Sequence, residues 1–123
     1  MTLEECYHVL GGNYAEAAAR FPSQRMIEKF VLKFLEDKSF AELCVAFAAD
    51  DRETAFRAAH TLKGVCANLS FTRLFGAASQ LTEELRRGEA EIPASAFPRM
   101  ELVRVDYEAT VEAIRAYQAA RAE

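Results

Sequence analysis

The chain has 123 residues, 51% of them hydrophobic and 28% charged, with 15 Lys and Arg residues against 19 Asp and Glu residues. This length is enough for one globular domain with its own core and too short for two. A net charge of −4 argues against a nucleic-acid-binding protein, which is normally basic. No apolar run is long enough to span a membrane and no secretory signal opens the chain, so we expect a cytoplasmic protein.

The cysteines Cys6, Cys44 and Cys66 are widely spaced and odd in number. A disulfide framework or a zinc site needs ligands in pairs at short spacing, so we expect reduced thiols. Cys6 and His8 lack the further ligands that tetrahedral coordination requires, and no metal site is predicted. The glycine-rich loops that bind nucleotide phosphates are also missing, so the chain is not a kinase by itself.

Two short helices are predicted at the N-terminal end. Thr2 and Glu5 have the spacing of a capping box, and the helix that they open is expected to end at Gly11. Asn13 is placed to open a second helix, which stops before Pro22 because the residue preceding a proline disfavours helical geometry.

Longer amphipathic helices follow. Ser23 is predicted to cap the first of them, Ser39 and Glu42 to form a capping box at the second, and Asp50 to begin a third that runs to about Leu69. A fourth extends from about residue 72 to 85, and a long last helix contains a proline, residue 98, in its first turn. Five phenylalanines fit the apolar stripes and are expected in the core: Phe30, Phe34, Phe40, Phe47 and Phe75.

The predicted fold class is all-α, because no alternating strand pattern competes with the helical spacing. Short connections favour antiparallel neighbours, and we expect a single domain over residues 1–123. Residues 23–123 are predicted to form an up-down four-helix bundle with a long C-terminal helix, and residues 1–22 to form short helices packed across it.

The third long helix carries a histidine, His60, on the face opposite its apolar residues. At 100° per residue, the apolar side chains lie roughly 140° to 260° away from His60. His60 is therefore predicted to face solvent rather than the core. The residues of the apolar stripe are Val65, Ala58, Leu69, Leu62, Ala55, Cys66 and Ala59.

The neighbours of His60 on that face suggest a chemistry. A neutral imidazole is a good nucleophile near pH 7, and phosphoryl transfer needs positive charge around the phosphoryl oxygens. Lys63 and Arg57, each about one turn away, can supply that charge. Phe56, Gly64 and Ala67 would form the centre of a transient protein–protein contact.

A simpler interpretation stays open from helical geometry alone. His60 can be an ordinary surface histidine, Lys63 and Arg57 can be solvated charges, and Phe56 can pack at the edge of the bundle.

One string in this helix strongly resembles the signature of histidine phosphotransfer (HPt) domains of two-component phosphorelays. It reads Ala59-His60-Thr61-Leu62-Lys63-Gly64 and is followed by Ala67-Asn68-Leu69. Leu74 and Leu81 fall where that family places core leucines of the next helix. The close match covers residues 56–85, and helix number and order agree with a stand-alone HPt protein over nearly the whole chain.

The resemblance implies that His60 is the phosphoacceptor, that Lys63 helps to hold the phosphoryl group and that Gly64 opens the docking surface. Such a protein is a phosphocarrier and not an enzyme, taking the phosphoryl group from an aspartate of one receiver domain and passing it to another. Its expected partners are receiver domains and hybrid sensor kinases. Mg²⁺ is expected on the receiver, so this chain would need no cofactor, and we expect a monomer.

Two positions depart from the family pattern. Ser70 stands where glycine is frequent, and we expect its side chain to cap the next helix. Thr82 stands where Gln or Glu often reaches back to the histidine ring, and its shorter hydroxyl leaves the orientation of the ring uncertain.

Two other functions remain as alternatives. The chain can be a non-catalytic helical adaptor that binds signalling proteins without accepting phosphate. It can also be a dimerisation module, in which the last helix, with Tyr107 and Tyr117, forms the seam.

Overall fold

The computed structural model describes residues 1–122, and within that range it contains seven α-helices and no strand, so the predicted all-α class is confirmed. A 3₁₀ turn, Phe34–Glu36, follows the third helix. The helices are α1 (Leu3–Leu10), α2 (Tyr14–Arg20), α3 (Gln24–Lys33), α4 (Ser39–Ala48), α5 (Arg52–Leu69), α6 (Thr72–Leu85) and α7 (Ala96–Ala122).

Helices α4 to α7 form the bundle. α5 packs against α4 on one side and α6 on the other, and α6 packs against α7. Two hydrogen bonds show that α6 and α7 run antiparallel: Ser95 Oγ donates to Glu84 at 2.8 Å and Arg99 donates to Gln80 at 2.7 Å. Large aromatic side chains close the fourth side, between α4 and α7, where Phe40 and Tyr107 stack with ring centroids 4.1 Å apart.

The first half of the long helix α7 packs on α6, and its second half is covered by the N-terminal helices. The Cys6 thiol of α1 donates to the carbonyl of Ala113 at 3.6 Å. Tyr117 and Arg121 both bind the carboxylate of Glu28 on α3, the latter at 2.7 Å. α7 is therefore held along its length by both parts of the chain.

Three of the predicted helix caps are present. The side chains of Thr2, Asn13 and Ser23 each accept a hydrogen bond from the backbone three residues further on, and Thr2 with Glu5 completes the capping box. The first helix ends at Gly11, which adopts the left-handed conformation with φ 80°. The spacing of polar residues in the sequence was sufficient to predict these caps, because each cap acts within one helical turn.

Two predicted caps are wrong. Ser39 is the first residue of α4 rather than its cap, and Asp37 accepts a hydrogen bond from its backbone N–H at 3.0 Å. At α5 the cap is Asp51, whose carboxylate accepts from the backbone of Thr54 at 3.1 Å. Asp50 is turned away with φ 53°, and its carboxylate instead accepts a hydrogen bond from the backbone of the linker between α6 and α7.

The core is less dependent on phenylalanine than predicted. Of the five predicted residues only Phe34 is fully buried, and the other four are half-buried against the core. Phe71, at the start of α6, fills the centre instead, packing edge-on against Tyr7 and Phe34 with centroids 5.6 and 5.2 Å away. This position was not predicted because it lies in a two-residue connection rather than on a helical stripe.

All three cysteines are free thiols, as predicted. Burial raises the pKa of Cys6 to about 11 and also raises the pKa of Cys66, so both thiols remain protonated at neutral pH. Among the described residues no helix combines the length and the apolarity that crossing a bilayer requires.

Candidate functional site

Helix α5 places His60 in solvent. Six of the seven residues predicted for its apolar stripe are buried against α4 and α6, and Val65 is half-buried at the edge. Half of these buried residues are alanine. His60 is exposed on the opposite side of the helix, as the periodicity predicted.

The His60 ring lies parallel to an aromatic neighbour. Phe56, one turn earlier on α5, has its ring centroid 6.1 Å from that of His60, with an angle of 9° between the planes. The guanidinium of Arg86, just beyond the end of α6, lies 5.3 Å from the centroid of Phe56. Phe56 is half-buried and thus gives both the imidazole and the guanidinium an apolar surface beside them.

The cations around His60 differ in their surroundings. Lys63 is half-buried one turn beyond His60. Arg57 is exposed and paired with Glu53 at 3.2 Å, so its charge is shared with a carboxylate one turn back along α5. Arg86 donates two hydrogen bonds to Glu83, at 3.1 and 2.8 Å.

Gly64 and Ala67 form an open strip beside His60. Both are exposed, and a Cβ added at Gly64 would meet no atom within 4 Å. Glycine in the middle of a helix costs about 1 kcal/mol relative to alanine. No packing inside the chain therefore requires glycine at this position.

Comparison with known families identifies the fold. The family model of the Hpt domain matches residues 26–120 of the chain. The chain belongs to the Hpt domain family. No curated protein and no solved structure matches it. Hpt domains are phosphocarriers of two-component phosphorelays, in which they interact with receiver domains and kinases, so the resemblance of the His60 string to that family is confirmed.

The Hpt match leaves out α1, α2 and the first residues of α3. Of these, α1 and α2 hold the C-terminal end of α5. Arg20 of α2 donates to the carbonyls of Ala67 and Asn68 at 3.1 and 2.6 Å. The Tyr7 hydroxyl of α1 donates to the carbonyl of Leu69 at 2.8 Å. These bonds satisfy carbonyls that a helix end otherwise leaves without partners.

Ser70 has a different role from the one predicted. It ends α5 in the left-handed conformation, with φ 59°, and its hydroxyl donates to Glu16 at 2.7 Å and accepts from Arg20 at 2.9 Å. The prediction that Ser70 caps α6 is wrong, because the residue at that cap is Phe71 and makes no side-chain bond. The left-handed conformation explains why glycine is frequent at this position in Hpt domains.

Thr82 makes no hydrogen bond to the His60 ring among the described residues. It is fully buried in α6, and its hydroxyl donates to the carbonyl of Ala78 in its own helix at 2.7 Å. The parallel Phe56 ring is instead the neighbour that faces the imidazole.

Two residues near His60, Glu83 and Arg86, were not predicted for the site. The sequence indicates only an acidic surface and a cation at the end of a helix, which is the usual interpretation of such residues. Glu83 and Arg86 approach α5 only because α5 and α6 pack together. The spacing of residues within either helix does not predict that packing. Within residues 1–122 there is no group of three or more His, Cys, Asp and Glu side chains placed to hold a metal ion.

Proposed function

We propose that this Hpt domain carries a phosphoryl group on His60, accepting it from an aspartate of one receiver domain and passing it to an aspartate of another. One observation carries the proposal: His60 is exposed on the helix that bears the Hpt signature, beside a glycine that no internal contact requires. The alternative in which the chain is only an adaptor gives no reason for an imidazole at this place.

The bonds that form and break in the transfer step are those of the imidazole and the aspartyl phosphate. The lone pair of one ring nitrogen attacks phosphorus, an N–P bond forms, and the P–O bond to the aspartate breaks. The carboxylate leaves with the electron pair of that bond. The other ring nitrogen releases its proton to solvent, which reaches the exposed ring. Passing the group to a second receiver is the same reaction in reverse.

Positive charge is supplied by the residues around His60. Lys63 is placed one turn away and is the residue that we assign to the phosphoryl oxygens. Arg86 is a second candidate, because its guanidinium lies over Phe56, the aromatic neighbour of His60. Arg57 and Arg86 both give weaker support than Lys63, since each is paired with a glutamate that reduces its effective charge.

In this proposal the docking centre consists of Phe56 together with the open strip of Gly64 and Ala67. A receiver must bring its aspartyl phosphate within bonding distance of the ring, so bulk beside His60 would obstruct it. The Mg²⁺ that supports the reaction belongs to the receiver in this proposal, and the chain itself uses no cofactor.

The test is to incubate the protein with a panel of receiver domains carrying labelled phosphate, in the presence of Mg²⁺. We expect label on the wild-type chain that is lost in acid and kept in base, as for phosphohistidine. The other histidine, His8, is exposed on α1 and provides a matched control. His8→Gln should accept label and His60→Gln should not. Absence of label from every receiver, or label kept in His60→Gln, would contradict the proposal.

A further inference from the structure

Glu83 is the acidic residue that pairs with Arg86, one of the two cations that we assign to the phosphoryl group. Its carboxylate accepts both hydrogen bonds of Arg86, at 3.1 and 2.8 Å, and both side chains are exposed. Arg86 in turn lies over Phe56, whose ring is parallel to that of His60. A chain of contacts therefore connects this acid to the imidazole that we propose as phosphoacceptor.

The charge of Lys63 also acts on the carboxylate of Glu83. The hydrogen bond from Arg86 is the main reason why the pKa of Glu83 is lowered, and the charges of Lys63 and Arg87 lower it further. Glu83 is thus ionised at neutral pH and lies within the electrostatic reach of Lys63. In the unphosphorylated chain Glu83 therefore binds Arg86 directly and acts on Lys63 through charge alone, without an ion pair among the described residues.

Phosphorylation of His60 would bring a second anion to these cations. A phosphoryl group carries between about −1.5 and −2 charges at neutral pH. Arg86 and Lys63 are long, flexible side chains that can reorient toward it. Because the phosphoryl group and Glu83 attract the same cations and repel each other, each weakens the hold of the other on Arg86 and Lys63.

We propose that Glu83 is a positioning residue that sets the phosphorylation equilibrium of His60 by competing with the phosphoryl group for Arg86 and Lys63. The inference rests on the proposed function of His60. Glu83 keeps Arg86 beside Phe56 and attracts Lys63 before transfer, and its repulsion keeps the phosphohistidine from becoming too stable. A carrier needs that balance, since a phosphoryl group bound too tightly would not pass on to the next receiver.

The chain offers a matched control on α7. Glu101 and Arg104 form an ion pair with the same three-residue spacing as Glu83 and Arg86, at 3.6 Å. Arg104 also lies over an aromatic ring, that of Phe40, at 5.8 Å from its centroid. Glu101→Gln therefore removes the same charge from the same kind of pair on a helix other than α5 and α6.

The experiment measures how the phosphoryl group partitions between a receiver and the chain at equilibrium. Wild type, Glu83→Gln, Glu101→Gln and Arg86→Gln are each mixed with the same phosphorylated receiver domain. We expect Glu83→Gln to shift the equilibrium about three- to tenfold toward phosphohistidine, the order expected when one exposed charge near a phosphoryl group is removed. Arg86→Gln should shift it in the opposite direction, and Glu101→Gln should leave it unchanged.

Two further measurements separate a charge effect from a structural one. Glu83→Asp, which retains the charge, should stay closer to wild type than Glu83→Gln does. The shift in Glu83→Gln should also shrink at high salt, because salt screens exposed charges. In Arg86→Gln, the further change Glu83→Gln should have a smaller effect than it has in wild type, because one of the two cations has been removed.

The outcomes distinguish this inference from the proposed function. A wild-type chain that accepts label while Glu83→Gln partitions as wild type does would overturn the inference and leave the function of His60 intact. An equal shift in Glu101→Gln would also overturn it, since the effect would then follow net charge alone. A wild-type chain that accepts no label from any receiver would overturn the proposed function itself.

Discussion

The C-terminal turn and the middle of α5 are built in opposite ways. At the C-terminal turn, Arg20, Tyr7 and Glu16 tie the last carbonyls and the Ser70 hydroxyl into a closed network of hydrogen bonds. Around His60, in the middle of the helix, the side chains are exposed or half-buried and the strip beside the ring is open.

The difference separates residues that build the domain from residues that we propose to act on a partner. Polar atoms at the helix end have fixed internal partners, because an unsatisfied carbonyl there would destabilise the fold. Arg57 and Arg86, in contrast, are paired with exposed carboxylates, which the phosphoryl group of our proposal could displace at small cost. Substitutions at the first place should therefore change stability, and substitutions at the second should change transfer.

The largest effect on stability is expected at Arg20. Arg20→Met removes three charged hydrogen bonds to the end of α5 and should lower the free energy of unfolding by about 2 kcal/mol. Denaturant unfolding followed by circular dichroism measures this change. Arg25→Met, on the exposed side of α3, is the control and should stay within about 0.5 kcal/mol of wild type. Equal losses in both variants would show that the network does not stabilise the domain.

The next largest effect is expected at Lys63, on the rate of phosphoryl transfer. Lys63→Ala should slow phosphoryl transfer by about tenfold, because one positive charge near the phosphoryl oxygens is lost. The free energy of unfolding should change little, since Lys63 forms no ion pair among the described residues. Arg57→Ala should slow transfer less, because Glu53 already shares its charge. Rapid-quench kinetics against one receiver would reveal a reversed order, which would contradict the assignment.

Gly64 should show opposite effects on stability and on function. Gly64→Ala should raise the free energy of unfolding by up to about 1 kcal/mol, because alanine favours the helix and its methyl group meets no neighbour. Transfer should slow several-fold, since that methyl group projects into the docking strip. Gly76→Ala in α6, where the added Cβ also meets nothing, is the matched control for the gain in stability. Unchanged transfer in a stabilised Gly64→Ala would remove Gly64 from the docking surface.

The smallest effect is expected at Thr82. Thr82→Val removes one hydroxyl that donates to the carbonyl of Ala78 and should cost about 1 kcal/mol of stability or less. The lifetime of the phosphohistidine should stay the same, because this hydroxyl does not reach the ring. Measuring the decay of label on the purified phosphorylated variant tests this. A markedly shorter lifetime would restore Thr82 to the site.

Much of the fold could be predicted because its signals are local. The caps at Thr2, Asn13 and Ser23 act within one helical turn, and the alternation of α5 between buried and exposed residues follows from its 3.6-residue period. The exposure of His60 was predicted in the same way. At the start of α5, both Asp50 and Asp51 are aspartates that could cap the helix. The choice between them depends on the linker between α6 and α7, which binds Asp50, and the sequence does not show that this linker lies close to Asp50.

The site was predicted less completely because part of it lies on a second helix. Residues 56–67 of α5 were found by their spacing around His60, whereas Glu83 and Arg86 reach the site only through the packing of α6. Ser70 was misinterpreted for a related reason. Its hydroxyl group binds partners in α2, and sequence spacing alone does not show which partner a hydroxyl group will find.

The central claim is that His60 forms the covalent intermediate and is not merely part of a binding surface. The most direct measurement compares receiver binding and phosphoryl transfer in His60→Gln with those of the wild type. We predict that His60→Gln binds the receiver with a dissociation constant within a few-fold of wild type and accepts no phosphoryl group. Transfer that persists in this folded variant would contradict the account, as would binding without transfer in the wild type.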